Sequence, residues 1–155
     1  MRIFATLASL PLLLLLLAAC GDDDDAEATA TPAEPVQVVL FFANADATGH
    51  VEVTREIGGP ATIEEAINLL LDGPTDSERT DLGATRSIPE GTRLLGAEFS
   101  GGVVTLDFSE EMLDYGGGSA RVLSIVESIR LTATAIGGIE DVVILVEGQP
   151  DALQP

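Results

Sequence analysis

The chain has no lysine and no tryptophan, and it carries a single cysteine, a single histidine and a single tyrosine. Each absence closes a class of chemistry. Without lysine there is no Schiff-base nucleophile and no phosphate-loop lysine. One cysteine forms no disulfide within the chain and no Cys-x-x-Cys redox pair. Together with one histidine it does not complete a Cys/His zinc site. Cations are scarce too. Seven residues, all arginine, stand against 26 Asp and Glu, giving a formal charge of −19 and a pI near 4.1. Neutralising phosphates needs a basic face, so nucleic acid is not an expected partner.

What is present fits one ordinary domain: 155 residues, 46% hydrophobic and 21% charged. The chain opens on Met1-Arg2 and an apolar run from Ile3 to Ala19. A bilayer-spanning helix needs about 20 residues, so the run is short for an anchor. It ends Leu17-Ala18-Ala19-Cys20. Two small residues and a cysteine after an apolar segment resemble the bacterial lipoprotein signal, or lipobox. Small side chains admit the backbone to a peptidase cleft, and a thiol is the nucleophile that can be alkylated. The resemblance implies a signal peptide over residues 1–19 and lipidation of Cys20 by diacylglycerol, with further acylation of the palmitate kind. Two or three acyl chains hold a protein on a membrane where one does not. The expected location is the outer face of the cell membrane, lipid-anchored, or a periplasm. Cys20 is then unavailable to catalysis or metal. The competing reading is an uncleaved signal anchor with an incidental cysteine.

Residues 20–35 are the lipidated cysteine and an acidic tether. From Gly21 to Pro35 there is no large apolar side chain, so the segment cannot bury enough surface to fold. The Asp22–Asp25 run lacks the spaced ligands, glycine and closing Glu of a calcium loop. It reads as a self-repelling spacer that pushes the domain off anionic head groups.

Residues 36–150 read as one α+β domain in the order β-β-α-β-β-α-β: about five strands with two amphipathic helices on one face. Residues 151–155 are a tail. Val36–Phe42 is a β-branched and aromatic run, expected to be buried on both faces. Val51–Ile57 alternates like a half-exposed strand. Thr62-Ile63-Glu64-Glu65 is a capping box, and Gly73-Pro74 stops the helix that follows. Asp76–Ser87 reads as a polar loop. Leu94–Phe99, Ser100-Gly101-Gly102 and Val103–Phe108 form a hairpin. Ser119 is the expected N-cap of a second helix with Val122, Ile125, Val126, Ile129 and Ala133 buried. Val142–Val146 is the last strand.

Several segments, in order, resemble the GerMN domain of bacterial sporulation and germination lipoproteins: Leu40-Phe41-Phe42, Val53–Ile57, Leu69-Leu70-Leu71-Asp72-Gly73-Pro74-Thr75, Ile88-Pro89-Glu90-Gly91-Thr92, Val103–Ser109 and Val143–Gly148. Leu-Leu-Asp-Gly-Pro followed by Ile-Pro-Glu-Gly-Thr is the most specific part. The resemblance implies a fold similar to ring-building motifs and a non-catalytic module that assembles or stabilises envelope protein complexes. It brings no catalytic residues and no cofactor. The sporulation protein has two such domains in tandem; here there is one.

The residues themselves show no catalytic constellation. His50 falls in an expected turn, alone. Gly116-Gly117-Gly118-Ser119 offers either an anion cradle or a plain helix start. Glu64-Glu65, Glu110-Glu111 and Glu140-Asp141 are adjacent carboxylates, which point apart on a helix and do not line one cleft. Asp107 is placed on the solvent face of its strand. No catalytic, metal or cofactor residue is therefore expected. The expected partners are the membrane, through Cys20, and another envelope protein. The alternative is a lipoprotein that binds or hydrolyses cell-wall polymer or a solute. It would require a concave pocket lined by Asp107, Glu110 and arginines.

Overall fold

The computed structural model describes residues 35–46 and 48–153. Cys20, the leader and nearly all of the tether lie outside the described residues.

Strand β1 (Val36–Asn44) pairs antiparallel with β2 (His50–Ile57), in a register that sets Val36 against Ile57 and Ala43 against His50. The turn between them is closed by Asn44, whose Oδ1 accepts the Thr48 and Gly49 N–H groups at 2.9 and 3.2 Å. Along β1, Val38, Leu40 and Phe42 are buried, while Gln37, Val39 and Phe41 are partly or fully exposed. The expectation of two buried faces is corrected. β1 is the centre of an antiparallel sheet that is covered fully on one face only. On its other side β1 meets β3 (Ala84–Thr85) at just Ala43 and Asn44. Further along, the Phe41 N–H donates to Thr132 Oγ1 at 3.0 Å.

Helix α1 (Ile63–Asp72) buries Ala66, Ile67 and Leu70. Thr62 caps it by accepting the Glu65 N–H at 3.2 Å. The Thr62 N–H donates to the Pro60 carbonyl instead of to Glu65, so only half of the expected box forms. Gly73 ends the helix at φ 83, ψ 179, a conformation essentially restricted to glycine.

The stretch read as a polar loop holds a helix, α2 (Asp76–Leu82), as well as β3. α2 has a complete capping box: Thr75 accepts the Glu78 N–H, and Glu78 accepts the Thr75 N–H. It has no buried residue, and so it lacks the apolar stripe by which helices are recognised.

β4 (Leu94–Ser100) and β5 (Val103–Phe108) form the expected hairpin. Gly101 and Gly102 both have positive φ, 59° and 85°, as a two-residue turn matched to strand twist requires. A 3-10 turn (Glu110–Leu113) follows, then α3 (Ser119–Thr134), then β6 (Asp141–Val146), parallel to β5. The N-cap of α3 is Gly118, not Ser119, and no side chain caps it. On α3, Val122, Ile125, Ile129 and Ala133 are buried as expected. Val126 is only half-buried, and Ser128 and Thr132 take the rest of the buried face.

The α+β class thus holds, and the expected order is kept apart from the added α2 and β3, with the six strands divided between two three-stranded sheets, β2-β1-β3 and β4-β5-β6. α3 packs on β1 and β6, and α1 on β1, β4 and α3. Val38, Leu40 and Phe42 therefore share one core with Val104, Leu106 and Phe108.

Candidate functional site

α1 ends in outward-facing carbonyls, and its own last turn carries no cation. Arginines from elsewhere supply the missing positive charge. Arg55 of β2 donates to the Leu69 carbonyl at 3.2 Å and to the Gly73 carbonyl at 2.8 Å. Arg86, just past β3, donates to the Leu71 carbonyl at 2.5 Å and to the Asp72 carbonyl. Cations at a helix C-terminus complement its dipole. Arg55 also grips Glu78 of α2 with two bonds, Nε to Oε1 at 2.9 Å and Nη2 to Oε2 at 2.6 Å. Its guanidinium lies 5.4 Å from the centre of the Phe42 ring. The Arg55 hydrogen bonds hold the Glu78 carboxyl below its ordinary value, outweighing the opposing effect of partial burial.

The next motif, Ile88–Thr92, is a turn. Thr92 Oγ1 donates to the Pro89 carbonyl at 2.9 Å, and Gly91 takes φ 87. Arg93 and Ser109 then clasp each other: the Arg93 N–H donates to Ser109 Oγ and the Ser109 N–H to the Arg93 carbonyl, both at 3.0 Å. At the end of β6, Gly148 N–H donates to Asp107 Oδ1 at 2.9 Å, and Glu147 N–H donates to the Phe108 carbonyl at 2.9 Å. The Glu147 carboxylate accepts the Glu110 N–H at 3.1 Å. Several residues that carried the resemblance, among them Arg55, Thr92, Asp107 and Ser109, are therefore fasteners of the backbone, and others, such as Leu40, Phe42, Leu70, Ile88 and Phe108, fill the core.

The two most specific motifs also meet at the surface. Leu71 and Asp72, with Glu90 to Leu94 opposite, wall an open cleft of about 670 Å³ that Asn68 and Arg86 complete. Arg93 stands at its rim with a side chain 70% exposed, 3.7 Å from the Glu111 carboxylate. The lining offers donors and acceptors of both charge signs. It contains no histidine or cysteine, and its one hydroxyl, that of Thr92, is bound to Pro89. Such a surface can hold a polar chain by hydrogen bonds and charge; it has no nucleophile beside a base.

The other candidates stay apart. His50 opens β2 instead of lying in a turn, and its Nε2 is 3.3 Å from the Ser124 carbonyl. Glu64 and Glu65 are exposed in the first turn of α1. Glu110 and Glu111 begin the 3-10 turn, where a hydrogen bond from Ser109 lowers the Glu111 carboxyl. Asp141 pairs with Arg130 at 3.2 Å, and Glu140 is exposed. Asp107, half-buried, is held by Gly148, and neither it nor Glu110 lines the large cleft. Among the described residues no three His, Cys, Asp or Glu side chains are grouped to hold a metal. No helix among them is long and apolar enough to cross a membrane.

Two small sheets sharing one core with two helices, fastened at the motif turns, define an α+β domain of the GerMN kind. The chain belongs to the Germane family, described as sporulation and spore germination, whose pattern matches residues 39–152. It is similar to the first GerMN domain of the sporulation protein GerM from Bacillus subtilis. That match has 24% identity and a TM-score of 0.57, and covers 74% of this chain and 85% of that one. It is likewise similar to the tandem GerMN domains of the same protein, at 25% identity and a TM-score of 0.56, covering 86% of this chain and 43% of that one. The chain thus spans under half the length of the tandem structure. No curated protein sequence matches.

Proposed function

We propose that the chain is a non-catalytic, membrane-tethered envelope lipoprotein whose single GerMN domain is an interaction or assembly module. The process is of the sporulation and germination type or a general envelope complex. The observation that carries this reading is the meeting of the Leu71-Asp72 and Glu90–Leu94 segments on one open polar cleft with no nucleophile–base pair. The docking partner is another envelope protein, engaged through the cleft rim around Arg93. The lipid on Cys20 confines both partners to one surface and raises their effective concentration, so a weak interface suffices.

The test is crosslinking and pull-down from intact membranes with wild type, Cys20→Ala and Arg93→Glu. Arg93 has an exposed side chain and a long ion pair, so its reversal should leave the fold intact. The expected result is a partner crosslinked to wild type, lost in Arg93→Glu, and lost in Cys20→Ala together with signal processing. Normal processing of Cys20→Ala would remove the anchor from the reading. Undiminished crosslinking of Arg93→Glu would remove the cleft. Turnover of an envelope substrate by the full chain, abolished by one substitution, would favour the hydrolytic alternative.

A further inference from the structure

β4 is an outer strand of its sheet and is bonded to β5 alone. Ser100 and Val103 flank the two-residue turn and so exchange their backbone hydrogen bonds. Counting back from them, Ala97 and Phe99 turn their N–H and carbonyl groups to the open edge. No other hydrogen bond among the described residues reaches those groups. The regular ladder runs from Gly96 to Ser100, beyond the irregularity between Leu94 and Gly96. α1 runs beside this strand in the opposite direction. Its first residue, Ile63, lines a hollow of about 190 Å³ with Ala61, Phe99, Ile136 and Ile139, while its last turn lines the large cleft with Leu94. Phe99 shares the core face with Val104, its cross-strand neighbour, yet is 60% exposed. An apolar hollow therefore lies open beside an unpaired ladder.

The surroundings of that edge are acidic. Glu98 lies on the opposite face of β4, across from Thr105. Glu64 shares a helical face with Asn68 and Leu71, which wall the large cleft, since positions i, i+4 and i+7 align. The Glu140 carboxylate stands over the hairpin turn, 3.3 Å from where a Cβ on Gly102 would sit. All three acids are exposed, and none forms an ion pair among the described residues. We infer that the free edge of β4 takes up, as an added strand, an extended segment of another protein in which apolar and basic residues alternate. Main-chain bonds to Ala97 and Phe99 hold the segment. Its apolar side chains lie on the side of Ala97 and Phe99, where one enters the hollow. Its Arg or Lys side chains lie on the other side, against Glu98. A second copy of this chain is a poor occupant, because it brings a formal charge of −19 to an acidic edge. The inference rests on the reading of the domain as a docking module, but not on the rim around Arg93.

The probe is a short, end-blocked peptide of alternating arginine and valine, titrated into the isotope-labelled full chain. Its glutamate–valine counterpart and a peptide with the arginines and valines in separate blocks are the controls. With the alternating basic peptide, saturable shifts and slowed exchange are expected at the Ala97 and Phe99 amides. Both controls should bind about tenfold or more weakly. Ala97→Pro removes an outward N–H and leaves the bonds to β5 in place. It should weaken binding about tenfold or more while the melting temperature changes little. Glu98→Arg, at an exposed site, should invert the preference between the arginine and glutamate peptides, a readout that survives if proline disturbs the strand. Arg93→Glu tests the rim separately. Peptide binding kept in Arg93→Glu and lost in Ala97→Pro supports the edge, and absence of any crosslinked partner from membranes with peptide binding intact overturns the docking reading alone. No saturable binding of the alternating basic peptide, equal binding of the controls, or affinities unmoved by Ala97→Pro and Glu98→Arg overturns the inference. Wild-type dimers that Ala97→Pro disperses would assign the edge to a second copy and overturn it likewise.

Discussion

Arg55 sits mid-strand in β2, yet through one side chain it joins β1, the end of α1 and the first turn of α2. Its side chain is 16% exposed and that of Glu78 13%, so a broken pair leaves a poorly hydrated charge. Glu78→Gln is expected to cost about 1–3 kcal/mol, read from the urea midpoint. The pair also sets a pH dependence. The fold lowers the Glu78 carboxyl, chiefly through the Arg55 hydrogen bonds, so the folded state takes up that proton less readily than the unfolded chain. The stabilisation is complete above the ordinary carboxyl value of 4.5 and is lost as pH falls below it, through the depressed folded value. Between neutral pH and acid, wild type should lose more stability than Glu78→Gln; parallel curves would show the pair to be inert. None of this was legible in the sequence. Alternation identified Arg55 only as a polar position, and its partner lies 23 residues away in a segment that read as loop.

Hydrophobic periodicity located the elements that bury a face: β1, β2, α1, the β4–β5 hairpin, α3 and β6. It missed α2, which buries nothing, although Thr75-Asp76-Ser77-Glu78 has the spacing of a capping box. The local signal was there, and no apolar stripe followed it. The same limit moved the α3 cap from Ser119 to Gly118, because a one-residue shift at a glycine-rich start leaves the pattern of apolar residues unchanged. Glycine at the end of α1 was legible, and its reason is now geometric. A Cβ on Gly73 would sit 2.3 Å from Arg86 Nη2, at a positive φ. Gly73→Ala should therefore destabilise by about 1–3 kcal/mol or more, since strain and a displaced arginine act together. Gly58→Ala is the matched control, for its Cβ meets nothing within 4 Å. It should be neutral or slightly stabilising in the same thermal melt.

A chain with a formal charge of −19 holds itself together against its own repulsion. Added sodium chloride should raise the melting temperature by screening that repulsion; a fall would mean that the four ion pairs among the described residues dominate instead. The sequence conveyed the class of fold and the motifs that meet at the large cleft. It did not convey their meeting, because Asp72 and Glu90 are brought together by the arginine-held end of α1 and not by any local pattern. The division into two sheets was equally hidden, since strand partnership depends on pairing across the chain and not on alternation within it. One bond between the sheet and a helix carries a last consequence. Where β1 runs past its short partner β3, the Phe41 amide is met by a hydroxyl on α3 and not by another strand. Thr132→Val keeps the shape and strips that acceptor. The Phe41 amide is then left without an acceptor beneath α3, so the variant should lose about 1–3 kcal/mol and open there more often than wild type, as faster exchange of that amide would record.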